Sequence, residues 1–410
     1  MASSHPAFLK PRRWAVLSAY TLVVGVSQML WLNFAPLLTL MQTRYGVSEL
    51  MASMLVLVFP LLYVVFSIHS GTMTDTRGYR FTVGVGALGM ALFSCLRIID
   101  SSFGFLLAGQ VGIAVAQPYV VNGISKLVAD WFSEEQGAIA TGLGTMGMFL
   151  GMAAGMAATP ALVETMGLRL SMVVFAAISV VAAIVFAVLV HPNTGVPEQG
   201  TAGEATGLRP LLGNRKLVRL CWLAFLGLGV FNGLTTWLEQ ILAPRGIDAE
   251  KAGIIGGALI VGGIVGSVII PAMSDLAKRR KPFLVACSAA ALATMYPLCT
   301  SSHYGLLLLL ACLHGFCFLP AFALLLEMSA QVAGARAAGA ATSLLMLAGN
   351  VGGVVVIVAM PLVKGEGSDF RPAVVLMVAL LALTTVLAML APETFSQAIA
   401  ETSPSPLTRG

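Results

Sequence analysis

Long apolar runs alternate with short polar turns along most of the chain, and each run is far longer than the 4 to 8 residues typical of a buried strand, as a general guide. At 1.5 Å of rise per residue, about 20 apolar residues in helical form cross the ~30 Å hydrocarbon core of a bilayer. On that measure the runs predict spans at residues 14–40, 49–70, 81–99, 104–126, 138–160 and 170–191, and then at 217–242, 252–273, 283–300, 304–327, 339–363 and 372–392. The expectation is an all-α membrane protein of twelve transmembrane helices. Lipid cannot satisfy an open backbone, so helices that close their own hydrogen bonds are the natural way to cross.

The longest polar interval, residues 192–216, is rich in Gly, Pro, Thr and Glu and reads as a flexible linker between two six-helix bundles. The predicted organisation is a tail at 1–13, a first bundle at 14–191, the linker at 192–216, a second bundle at 217–392 and a tail at 393–410. The two bundles look duplicated. Asp75 in GTMTDTRGYR recurs as Asp275 in PAMSDLAKRRKP, and ATGLGTMGMFLG from Ala140 is matched by ATSLLMLAGNVGG from Ala341, each pair about 200 residues apart.

Composition removes the soluble alternatives: 58% of the 410 residues are hydrophobic and 10% are charged, against about 25% charged in an ordinary globular chain. The net charge of +5 comes from residues in short loops and forms no basic stripe, so it predicts topology and not a nucleic-acid partner. With the N-terminus inside, 16 of the 23 Lys and Arg fall in cytoplasmic segments; Arg44, Arg97, Arg169, Arg245, Lys251, Lys364 and Arg371 fall on the other side. Both termini are therefore expected in the cytoplasm, in a multi-pass protein of the cell membrane, a bacterial inner membrane fitting best. The first apolar run is too long for a cleavable signal and is expected to stay as the first span. Cys95, Cys221, Cys287, Cys299, Cys312 and Cys317 lie in apolar runs without CxxC or metal-ligand spacing, and read as packing residues.

The turn after the second span holds Gly71, Asp75, Gly78 and Arg80 in the order GxxxDxxGxR. This resembles the signature loop of the major facilitator superfamily, a resemblance that implies two pseudo-symmetric six-helix bundles and a gating role for the loop, with Asp275 in its second, degenerate copy. The bland alternative is a polar hairpin with solvated charges, which the recurrence at Asp275 disfavours. Two runs imitate nucleotide fingerprints, GVGALG from Gly84 and GLGTMG from Gly142. Both lie inside predicted spans, with no preceding strand, so close helix packing is the better reading and no cofactor, metal or catalytic group is expected.

Polar and large aromatic residues within the spans carry more information, since an unpaired polar group in hydrocarbon is costly. Gln28 and Trp31 share one face of span one; Gln110 and Gln117, followed by Tyr119, share a face of span four; span seven carries Phe231, Asn232, Thr235, Thr236, Trp237, Glu239 and Gln240. In the superfamily that the loop resembles, spans one, four and seven line a central cavity. RRWAVL from Arg12, MLWLNFAPLL from Met29, YGVSEL from Tyr45, AGQVGIAVAQP from Ala108 and DWF from Asp130 are similar to the feline leukaemia virus subgroup C receptor family, assigned choline, ethanolamine and haem as substrates. That resemblance implies a quaternary ammonium group held by Trp31 and Gln117; an indole face attracts such a cation by about 0.5–2 kcal/mol when desolvated. Where the family has a Tyr in span seven, this chain offers Phe231 or Asn232. Trp31 and Gln117 have no polar counterpart in the second half, where Leu319 or Pro320 falls near the Gln117 position.

These features predict a transporter that moves a small organic solute by alternating access, acts in the bilayer as a monomer, and is not an enzyme: HExxH, GxSxG and paired-Asp arrangements are absent. Glu239 and Glu327, with His314 a weaker candidate, could couple transport to protons. The competing reading is export of a siderophore, drug or other metabolite. The lack of a Gly-Pro pair closing GLGTMGMFLGMAAG argues against proton-driven drug antiport.

Overall fold

The computed structural model describes residues 10–132, 134–190, 211–334, 337–365 and 369–395; most of the expected linker and of both outer tails, and Arg336, lie outside them. The described helices are α1 (Lys10–Leu32), α2 (Leu38–Tyr45), α3 (Glu49–Leu96), α4 (Phe103–Val121), α5 (Ile124–Trp131) and α6 (Glu134–Leu189), followed by α7 (Arg215–Leu242), α8 (Ala249–Leu276), α9 (Lys281–Thr300), α10 (Tyr304–Ala333), α11 (Ala338–Val363) and α12 (Arg371–Met389). Among the described residues there is no strand. Ten helical stretches are long and apolar enough to cross a membrane.

Two of the ten are too long for one crossing. At 48 residues α3 measures about 72 Å, more than twice a hydrocarbon core. It is interrupted at Gly78, whose φ of 77° and ψ of 157° are unfavourable for any residue with a Cβ. The chain doubles back there, because Gln110 of α4 bonds both to Leu55 from the first segment and to Arg97 just past the end of the second. The polar loop expected at 71–80 is thus mostly helical, reduced to a break at one glycine. α6 has the same kind of break at Gly167, with φ 80° and ψ 164°. Conversely, the first expected span is broken: Pro36 sits in a 3-10 turn, Ala35–Leu37, that separates α1 from α2, since proline lacks the N–H a continuing helix would use.

The chain forms two compact units, one of residues up to 202 plus Asp248–Gly257, the other of Gly203–Ile247 plus Ala258 onward. Within the first, α1 lies on α6 so closely that a Cβ at Gly151 would stand 1.9 Å from the carbonyl oxygen of Gly25, and one at Gly155 2.6 Å from that of Met29. Within the second, α7 meets α11 in the same way: a Cβ at Gly352 would stand 1.9 Å from the carbonyl oxygen of Phe225. The two glycine-rich repeats therefore do the same job in each unit, bringing backbones together where lipid supplies no hydrophobic drive for helix association. The nucleotide-like run at Gly142 falls into this pattern through Gly144 and Gly147, packed on Ile124 and Thr21; Gly86 of the other run packs on Val120. Large apolar side chains such as Leu88, Ile68 and Leu309 are more than 60% exposed, as a lipid-facing surface requires. All six cysteines are free.

Candidate functional site

In the first unit, Trp31 is buried near the end of α1. Its indole N–H donates to the Val56 carbonyl at 3.3 Å, and its ring lies stacked 6.2 Å from Phe59, so α3 fixes the orientation of the aromatic face. Gln28, on the same face of α1, reaches Ser27 at 3.5 Å while its carbonyl oxygen is buried without a partner among the described residues; the amide nitrogen of Gln117 is in the same condition. A buried, unsatisfied amide atom costs about 1–3 kcal/mol, so such atoms need a reason to exist.

Gln110 differs from these two. Its oxygen accepts from Arg97 Nη1 at 2.9 Å, and its nitrogen donates to the carbonyls of Leu55 at 2.7 Å and Leu30 at 3.4 Å. Its amide is committed to tying three segments together. Tyr119, two residues on and so on the opposite side of the helix from Gln117, has its hydroxyl 2.7 Å from His69 Nδ1. Next to it, Asn122 accepts from the Tyr63 hydroxyl at 2.9 Å and donates to Ser70 at 2.7 Å. This polar seam between α3 and α4 escaped the sequence reading, although His69 and Asn122 are as anomalous inside apolar runs as the glutamines.

In the second unit the polar run of α7 splits by face. Trp237 is fully buried and donates to the Ile357 carbonyl at 3.1 Å, a tie to α11. Against the expectation that Trp31 lacks a counterpart in the second half, Trp237 is its equivalent, since both indoles bond a neighbouring backbone carbonyl and both precede a proline-bearing 3-10 turn. Asn232 donates to Leu228 at 2.8 Å and packs against Gly353, where any Cβ would crowd it. Phe231 stacks on Phe318 at 6.1 Å, and Phe318 on His314 at 5.3 Å, whose Nδ1 is 2.9 Å from the Thr294 hydroxyl. Glu239 is buried, and neither side-chain polar atom of Gln240 has a partner among the described residues.

The gating-loop residues are unequal in the two units. Gly71 is not pressed by a neighbour, Asp75 is exposed, Gly78 makes the break, and Arg80 Nε donates to the Val190 carbonyl at 2.7 Å. The copy that looks degenerate in sequence is the richer one. Arg280, 2% exposed, pairs with Asp275 at 2.6 Å and with Glu327 at 2.5 Å, lies over the Phe395 ring at 5.2 Å, and with Lys281 gives its backbone N–H to Glu393. Burial alone would raise the Glu393 carboxyl, but the backbone N–H groups of Arg280, Phe395, Lys281 and Thr394 outweigh it and hold the group below the usual carboxylate range.

A model of the Major Facilitator Superfamily matches residues 20–357 and again 244–404. The chain belongs to that superfamily. It is a multi-pass membrane transporter by family, not an enzyme. The solved structure of a bacterial homolog to the human lysosomal transporter Spinster, inward-facing and unoccupied, overlays with a TM-score of 0.73 over 97% of this chain and 99% of that one at 17% identity, which speaks for the superfamily fold. Solute carrier family 49 member A3 of Danio rerio is 27% identical over 83% of this chain and 76% of its own length. An uncharacterized protein of Archaeoglobus fulgidus is 39% identical over 43% of this chain and 80% of its own. The choline/ethanolamine transporter FLVCR1 of Felis catus is 26% identical over 67% of this chain and 53% of its own.

Proposed function

We propose that this superfamily transporter carries a small organic cation, with a quaternary ammonium group held against Trp31 and within reach of Gln117 and Gln28. The observation that carries the reading is the Trp31 ring: its N–H is spent on Val56, which leaves the π face as its recognition surface, with the unpartnered amide oxygen of Gln28 on the same face of α1. A cation without hydrogen-bond donors suits an aromatic face and an amide oxygen such as that of Gln28 better than a salt bridge. The named activity of the feline relative supports the same class. In the second bundle the residues proposed to meet solute are Phe231, Asn232 and Trp237 of α7. The breaks at Gly78 and Gly167 divide two of the ten long helices, giving twelve crossings, with both termini in the cytoplasm of the cell that makes the protein.

Coupling to protons is assigned to Glu239, a buried carboxylate, ahead of Glu327, which is about half exposed. Export of a siderophore or other metabolite is the competing outcome. The test is thermal stabilisation of the purified protein by choline, ethanolamine, other small cations, zwitterions and siderophores, followed by flux into proteoliposomes. Stabilisation and flux with small cations are expected; a response to siderophores alone would overturn the reading.

A further inference from the structure

Arg97 is the most anomalous charge in the first unit. It caps the C-terminus of α3 and is 0% exposed. Its stem lies across Gly109, where a Cβ would come within 2.4 Å of its Cγ, and its guanidinium stands 5.7 Å from the Phe34 ring centroid. Of its three nitrogens, Nη1 donates to Gln110, while Nε and Nη2 are buried and meet no acceptor among the described residues. The nearest acid along the chain, Asp100, is bonded to Arg44 at 2.5 Å instead.

The two unpartnered nitrogens lie on one side of the guanidinium, the Nε–Nη2 edge that binds planar oxyanions in bidentate fashion. An arginine does not escape burial by losing its proton, and an uncompensated charge in a membrane protein is strongly penalised. Gln110 holds the opposite corner and cannot rotate to help, because its own nitrogen is spent on Leu55 and Leu30. We infer that the Nε–Nη2 edge of Arg97 is a binding site for a small monovalent anion of the carboxylate or halide class. Its electrostatic consequence reaches the Trp31 face, since the consecutive carbonyls of Leu55 and Val56 receive Gln110 and Trp31 respectively. An anion there would screen the fixed positive charge from a cation at the indole. The anion is either free in solution or the carboxylate of a zwitterionic solute.

The experiment measures the melting temperature of the full-length protein in gluconate at constant ionic strength, with chloride or formate replacing gluconate stepwise, and separately with glycine betaine or choline added. No cation substrate is needed in the first series, so its failure is distinct from failure of the transport reading. For the wild type we expect a saturable rise of several degrees with formate or chloride if the anion is free, or with betaine but not choline if the solute supplies the carboxylate. Arg97→Gln should abolish either response. Gln110→Glu, which places a negative charge on Nη1 and keeps the arginine, should weaken the apparent anion affinity at least tenfold and serves if Arg97→Gln does not fold. A wild type indifferent to every anion and to betaine, or variants that respond as the wild type does, would overturn the assignment.

Discussion

The guanidinium of Arg280 stands 2.5 Å from the carboxylate of Glu327 and 2.6 Å from that of Asp275, so one buried cation joins the end of α8 to the middle of the second half of α10. Its backbone N–H adds Glu393 from beyond α12. The arrangement gives Asp275 a concrete partner: the carboxylate restrains a cation whose Glu327 contact is made by another helix.

Replacing Glu327 by Gln should weaken that clamp. Hydrogen bonds to charged groups contribute about 1.5–3 kcal/mol, and Glu327 is 46% exposed with Asp275 still in place, so we expect a loss of about 1 kcal/mol, read as a lower melting temperature in detergent. Transport should keep its pH profile. An unchanged melting temperature with lost pH dependence would instead return Glu327 to a coupling role.

Glu393 predicts a pH effect of definite sign. Its carboxyl is held below the ordinary value in the folded protein, so its contribution is present above the unfolded pKa and disappears as pH falls through the folded one. The melting-temperature difference between wild type and Glu393→Gln should therefore be largest near neutrality and shrink below about pH 4. A difference that widens on acidification would contradict the backbone-cradle account.

The backbone contacts can be tested by adding one methyl group. Gly151→Ala and Gly352→Ala each force a Cβ to within 1.9 Å of a carbonyl oxygen, so helices must separate. Overpacking of this kind costs about 1–3 kcal/mol or more. Gly142→Ala, with nothing within 4 Å, is the control and should be neutral or gain up to about 1 kcal/mol from helix propensity. Unfolding in detergent distinguishes them; equal effects at 142 and 151 would mean that the close contact does not matter.

For recognition, Trp31→Ala should raise the dissociation constant of a bound organic cation roughly two- to thirtyfold, the range set by 0.5–2 kcal/mol of cation–π attraction. Trp31→Phe should recover part of it, because the ring face survives although the bond to Val56 is lost. Binding by calorimetry that is identical in all three proteins would remove Trp31 from the site.

The helical character, the membrane class and the internal duplication were all legible along the chain, because bilayer thickness imposes its length on every apolar run and lipid forbids other backbone solutions. The glycine repeats could be recognised as packing surfaces for the same reason. What each polar residue does was not legible. Gln28, Gln110 and Gln117 are alike in sequence, yet one is consumed by Arg97 and two backbone carbonyls while the others keep unsatisfied atoms. Asp275 sits in what reads as a decayed motif, yet its unit holds the fuller ion-pair network. A residue's chemical type is local, whereas the partner that satisfies it comes from helices tens of residues away. Only the tertiary structure decides which buried polar groups are already answered and which are left to meet a solute.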